Sequence, residues 1–192
     1  LTAEPPEGLL GDSKKLSRAR RLAAFEWLQE NSLYVVEIAA VNHISLCGVY
    51  KARNAAARRA AEGLIALLET QDVCVVIDGN PFPLGSPGRL WQHSTQVKFI
   101  VRADETVPEV SAASIIAKTY TDALFDGWGR NWAGYGMERD HGSPSTKHKD
   151  ALRKQGPSPL HRTHHYGADW WKQLLGTDCH CGSIGRRYPI GS

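Results

Sequence analysis

Apolar positions near the start of the chain recur at helical spacing. After the polar run Asp12-Ser-Lys-Lys-Leu16, Ser17 stands where a helix N-cap belongs, and Leu22, Phe25 and Leu28 return on one side through about Asn31. Residues 33–41, rich in β-branched side chains, predict a strand. The Ala-rich stretch 48–69 predicts one long helix whose outer face carries Arg53, Arg58 and Arg59. The continuous apolar run 73–77 predicts a strand buried on both faces, ending in the polar turn Asp78-Gly79-Asn80-Pro81. Residues 97–102 alternate, as a half-exposed strand does, and Asp104 follows. A helix is predicted over 111–125 with Ala112, Ile115, Ile116, Thr119 and Ala123 on its inner stripe, and another over 145–154. Strands alternating with helices point to a three-layer α/β domain. The stretches from 127 onward predict a helical and irregular carboxy-terminal region.

Composition narrows the class. With 192 residues, 42% apolar and 22% charged, the chain can bury a core and is not of a disordered type. A formal charge of +3 does not by itself announce nucleic acid, so local clusters matter more. No apolar run approaches a membrane span, and the first ten residues do not read as a secretory signal, so a cytoplasmic protein with no membrane partner is expected. Cys47 and Cys74 lie in apolar surroundings and are expected in the core. Cys179, His180 and Cys181 form half of a metal motif at most, and zinc is discounted.

Two aspartates share a context. Asp78 and Asp104 each follow a predicted strand, at the sheet edge where α/β proteins collect ligands. Converging carboxylates repel unless a cation lies between them, and Mg²⁺ or Mn²⁺ suits oxygen donors. The plain alternative is that Asp-Gly-Asn is an ordinary turn and Asp104 a loop residue. Lys14 and Lys15 precede a helix start, where phosphate is favoured. Two further polar clusters, His141 with Ser145 to His148, and Ser158 with His161, Arg162, His164 and His165, fit either a nucleic-acid groove or a solvated surface.

Four segments, taken together and in order, resemble ribonuclease HII: Asp12-Ser-Lys-Lys-Leu16, Val76-Ile-Asp-Gly-Asn80, Pro108-Glu-Val-Ser-Ala-Ala-Ser-Ile-Ile-Ala-Lys118 and Gly156-Pro-Ser-Pro-Leu-His-Arg162. The likeness runs over about residues 6–168, leaving 169–192 as a divergent tail. It implies a ribonuclease H-like three-layer fold around a central mixed sheet. It also implies hydrolysis of the RNA strand in RNA–DNA hybrids, including a single ribonucleotide in duplex DNA, giving 3′-hydroxyl and 5′-phosphate ends with Mg²⁺ or Mn²⁺. Asp78 and Asp104 match two of the family's four metal-holding carboxylates. Ser13, Lys14, Lys15, Asn80, Ser111, Ser114, His161 and Arg162 are the expected substrate-binding set, and a monomer is expected.

The sequence departs from the family pattern. The family's Asp-Glu-Gly-Arg-Gly segment, with its other two carboxylates and the first strands, would lie before Leu1. Ser143 stands where the family has a tyrosine, and His43-Ile-Ser45 where it has Glu-Ile-Asp. The chain is therefore expected to be inactive by itself. A non-catalytic nucleic-acid binder and a nonfunctional truncated fragment remain as alternatives.

Overall fold

A computed structural model describes residues 1–68, 72–81, 96–141, 143 and 145–162. The expectations for Cys179, His180, Cys181, His164, His165 and the 169–192 tail lie outside them. The elements in order are α1 (Arg18–Asn31), α2 (Val41–Cys47), α3 (Val49–Leu67), β1 (Cys74–Asp78), β2 (Gln96–Ile100), α4 (Ala103–Thr106), α5 (Pro108–Asn131), α6 (Met137–Asp140) and α7 (Thr146–Gln155). This is a mixed α/β arrangement. Among the described residues its sheet has two strands, β1 and β2, paired in parallel with Cys74 opposite Gln96 and Asp78 opposite Ile100.

The chain divides into two compact units, Leu1–Ile38 with Arg53–Leu124, and Ala39–Ala52 with Phe125–Ser192. In the first unit, α1 packs on α5 through Ala24 and Leu28 against Ala112, Ile115 and Ile116. Phe25 meets Tyr120 edge to face, with ring centres 5.8 Å apart. Ser17 caps α1 as expected, its hydroxyl accepting the Arg20 N–H at 3.3 Å. The buried stripe of α1, however, is Arg21, Ala24 and Leu28, while Leu22 is 43% exposed. Of the expected inner side, Leu28 is buried and Phe25 packs against the core, while Arg21 takes the place expected of Leu22.

Three further expectations are corrected. Residues 33–40 form no strand, and 41–47 are helical. Part of the stretch packs without strand pairing: Val36 and Tyr34 lie against the α1–α5 core, and Val35 lies against Gly63, where an added Cβ would meet its methyl at 3.3 Å, while Ile38 is exposed. Val75, Val76 and Ile77 of β1 are half-buried rather than buried on both faces, in keeping with a strand that has one described neighbour. Cys74 begins that strand and is exposed, and Cys47 is half-buried, its thiol donating to the His43 carbonyl at 3.1 Å.

The second unit has its own small core, in which Tyr135, Met137, Ala151 and Leu152 are buried against Phe125, Trp128 and Leu160. A hydrogen-bonded chain crosses it. The Ser158 N–H donates to His161 Nδ1 at 3.0 Å, so the His161 proton resides on Nε2. That proton points to His148 Nε2 at 3.2 Å, and His148 in turn donates from Nδ1 to the Tyr135 carbonyl at 2.9 Å. The His161 ring is neutral in this arrangement.

Leu28 and Ile115 are fully enclosed in the first core. Truncating either to Ala is expected to cost about 2–5 kcal/mol, against about 0.5 or less for Leu22→Ala, as read by urea unfolding. In the second unit, burial first and the His148 ring second hold His161 down at about 4, below its ordinary 6.5. The folded state thus disfavours the proton that the unfolded chain accepts. Stability is full above about pH 6.5 and is lost as pH falls through about 4. Thermal unfolding followed across that window should show this loss, and His161→Gln should reduce it.

Candidate functional site

β1 and β2 run in the same direction, so their carboxyl ends share one edge of the sheet. Asp78 is the last residue of β1. The chain turns behind it at Gly79, whose φ of +106° is open to glycine but strained for other residues, and the Gly79 N–H bonds to the Ile100 carbonyl at 3.0 Å. From β2 the chain passes through Arg102, a non-glycine residue in the left-handed region at φ 60°, and enters α4 at once. The Asp78 carboxylate accepts the Ala103 N–H at 2.9 Å. The side chain of one candidate aspartate is thereby bonded to the backbone beside the other. Asp78 and Asn80 are exposed, and Asp104 is half-buried.

Glu105 follows Asp104 and accepts from Arg102 at 2.7 Å and from Lys15 at 2.9 Å. Arg102 first and Lys15 second draw the Glu105 carboxyl below the usual carboxylate range, and the bond to Glu105 raises Lys15. Asp12 lies 3.8 Å from the same ammonium. A cleft of about 260 Å³ opens alongside, lined by Asp104, Glu105, Ser111, Gly8, Leu10 and Gly11.

The Asp12–Leu16 turn is fastened from within. Asp12 folds back to accept the Lys14 N–H at 2.9 Å, the Asx-turn bond expected of this residue type. The hydroxyls of Ser13 and Ser114 meet at 2.7 Å, and Ser111 donates to the Gly11 carbonyl at 3.0 Å. Arg21 donates to the carbonyls of Ser13 at 2.8 Å and Leu16 at 3.1 Å, and its other nitrogen pairs with Asp122 at 3.0 Å. Lys118 occupies the second Asp122 oxygen at 2.6 Å. Arg21 and Asp122 are both buried, so loss of either partner would leave a charge uncompensated, at about 3–5 kcal/mol. Lys14 and Lys15 are exposed.

Six of the expected site residues and both aspartates therefore lie in the first unit. Ser13, Ser111 and Ser114, expected at the substrate, have their hydroxyls bonded within the protein. His161 and Arg162 belong to the second unit, as do Ser145, which caps α7, and His148, which is buried. Sequence reasoning missed Arg21, Asp122 and Glu105. Arg21 carried a signal, since it lies three and seven positions before Ala24 and Leu28, and Asp122 lies seven after Ile115.

The donor type at the sheet edge fits a hard divalent cation, being carboxylate oxygen without thiolate or imidazole. The donor number is partial: among the described residues no group of three or more His, Cys, Asp or Glu side chains is placed to hold a metal. An ion such as Mg²⁺ takes six oxygens, and where one or two carboxylates hold it, water and substrate phosphates complete the shell. Among the described residues, no helix is long and apolar enough to cross a membrane.

Residues 7–168 match the family model described as Ribonuclease HII. The Ribonuclease HII of Maricaulis maris (strain MCS10) is 37% identical over 153 residues, which is 80% of this chain and 65% of that protein. The Ribonuclease HII of Ruegeria pomeroyi is 34% identical over 157 residues, covering 82% of this chain and 62% of that protein. The corresponding figures for the Erythrobacter litoralis protein of the same name are 36%, 82% and 72%. The chain thus spans rather less than two thirds of the length of the first two relatives. With the matched region holding the Asp78 turn, Asp104 and the Asp12–Leu16 turn, this chain belongs to the ribonuclease HII family.

Proposed function

We propose that this protein is an endonuclease for the RNA strand of RNA–DNA hybrids, including single ribonucleotides in duplex DNA, leaving 3′-hydroxyl and 5′-phosphate ends. The observation that carries the reading is the Ala103 N–H donated to the Asp78 carboxylate, which ties the end of β1 to the backbone one residue before Asp104. Asp78 and Asp104 would supply two of the carboxylates for Mg²⁺ or Mn²⁺, whose chemistry is to activate water and steady the leaving oxygen. Further ligands would be needed beyond these two. Lys14, Lys15 and Asn80 are exposed and are read as phosphate or sugar contacts, with His161 and Arg162 as candidates from the second unit. The two strands are read as part of a three-layer ribonuclease H-like sheet, residues 1–168 as its domain, and 169–192 as a divergent tail. The protein is read as a monomer acting in the cytoplasm.

A second reading is a non-catalytic hybrid binder. Among the described residues no third His, Cys, Asp or Glu joins the two aspartates in a metal-holding group, which favours it, since exposed lysines bind phosphate whether or not the bond is cut.

The test is cleavage of a duplex carrying one ribonucleotide, in Mg²⁺ and in Mn²⁺, with binding measured in parallel. Under the nuclease reading, Asp78→Asn and Asp104→Asn each reduce cleavage by about 100-fold or more while leaving binding in place. Binding by folded chain with no cleavage selects the second reading. Absence of both overturns the two together.

A further inference from the structure

We infer that Arg21, Asp122 and Ser114 are positioning residues for nucleic-acid binding: they clamp the Asp12–Leu16 turn so that Lys14 and Lys15 are presented to substrate phosphates. This rests on the reading of those lysines as phosphate contacts. A flexible turn carrying two long basic side chains would lose conformational freedom on every binding event. Here the freedom is removed beforehand. Each anchor takes an inward group of the turn: Arg21 takes the Ser13 and Leu16 carbonyls, Ser114 the Ser13 hydroxyl, and Ser111 the Gly11 carbonyl. Ser13 is buried while Lys14 and Lys15 are exposed, so fastening the turn by residues 11, 13 and 16 leaves residues 14 and 15 directed outward.

The guanidinium is suited to this task in a way that an ammonium is not. Its NH1 bridges two carbonyls while NH2 pairs with Asp122, a planar fork serving three acceptors. Asp122 fixes the fork, and Lys118 fixes Asp122 from one helical turn away. The clamp joins the start of α1 to the middle of α5, the helix that opens just after Asp104. Glu105, paired with Lys15, balances that charge in the free protein and stands where an incoming phosphate would compete with it.

The test is the salt dependence of binding to an RNA–DNA hybrid duplex by the whole chain, read by fluorescence anisotropy. Each phosphate contact contributes about 0.9 to the slope of log affinity against log salt, so Lys14→Ala with Lys15→Ala should flatten it by about two contacts. Arg21→Lys keeps the buried charge and both surface lysines but has one nitrogen in place of the two that serve both carbonyls and Asp122 together. Folded Arg21→Lys should flatten the slope by about one contact or more. It should also speed hydrogen exchange at the Lys15 and Leu16 amides. Ser114→Ala, a mild deletion that serves if Arg21→Lys does not fold, should act in the same direction. An unchanged slope in a folded clamp variant, beside a flattened slope in the double lysine variant, overturns the positioning role. An unchanged slope in the double lysine variant overturns instead the reading of Lys14 and Lys15 as phosphate contacts, and the clamp's role in binding falls with it.

Discussion

One buried charge pair, Arg21 with Asp122, organises the first unit. Two helices can pack by apolar contact alone, as Leu28 and Ile115 do here, but apolar contact tolerates sliding and repacking. A guanidinium that must satisfy one carboxylate and two carbonyls admits a narrow range of helix placements. Partial satisfaction in a low-dielectric interior is costly, so the pair acts as a register mark between α1 and α5. The polar turn before α1 inherits that precision, because two of the three acceptors belong to it.

Much of the helical framework was legible because it depends on local signals. Ser17 as a cap, the Ala-rich run that becomes α3, and the short helix that becomes α7 are readable within a few residues. The stretch 33–41 was misread because β-propensity records a fit to a half-buried surface, and Val35 finds that surface on α3 rather than beside a strand. Cys74 and the apolar run of β1 were read as deep core because sequence shows what a side chain prefers, not how many neighbours the strand has.

The site was legible at its motifs and opaque in its support. Asp78, Asp104, Lys14 and Lys15 stand in short runs whose chemistry can be argued from residue type alone. Arg21 and Asp122 are separated by most of the first unit's sequence and sit on apolar stripes, where periodicity reads them as errors in the pattern. Ser111 and Ser114 show the converse: hydroxyls in a motif suggest ligand contact, whereas here they hold the turn that carries the basic side chains.

The left-handed residue Arg102 bears on which changes of length the family can absorb. Between the end of β2 and Asp104 the chain has no slack, since a single residue of unusual backbone conformation makes the whole change of direction. Substitution at that point alters one side chain. Insertion or deletion there would rotate everything after it and carry Asp104 away from Asp78, so among homologues this turn should vary in letters but not in length.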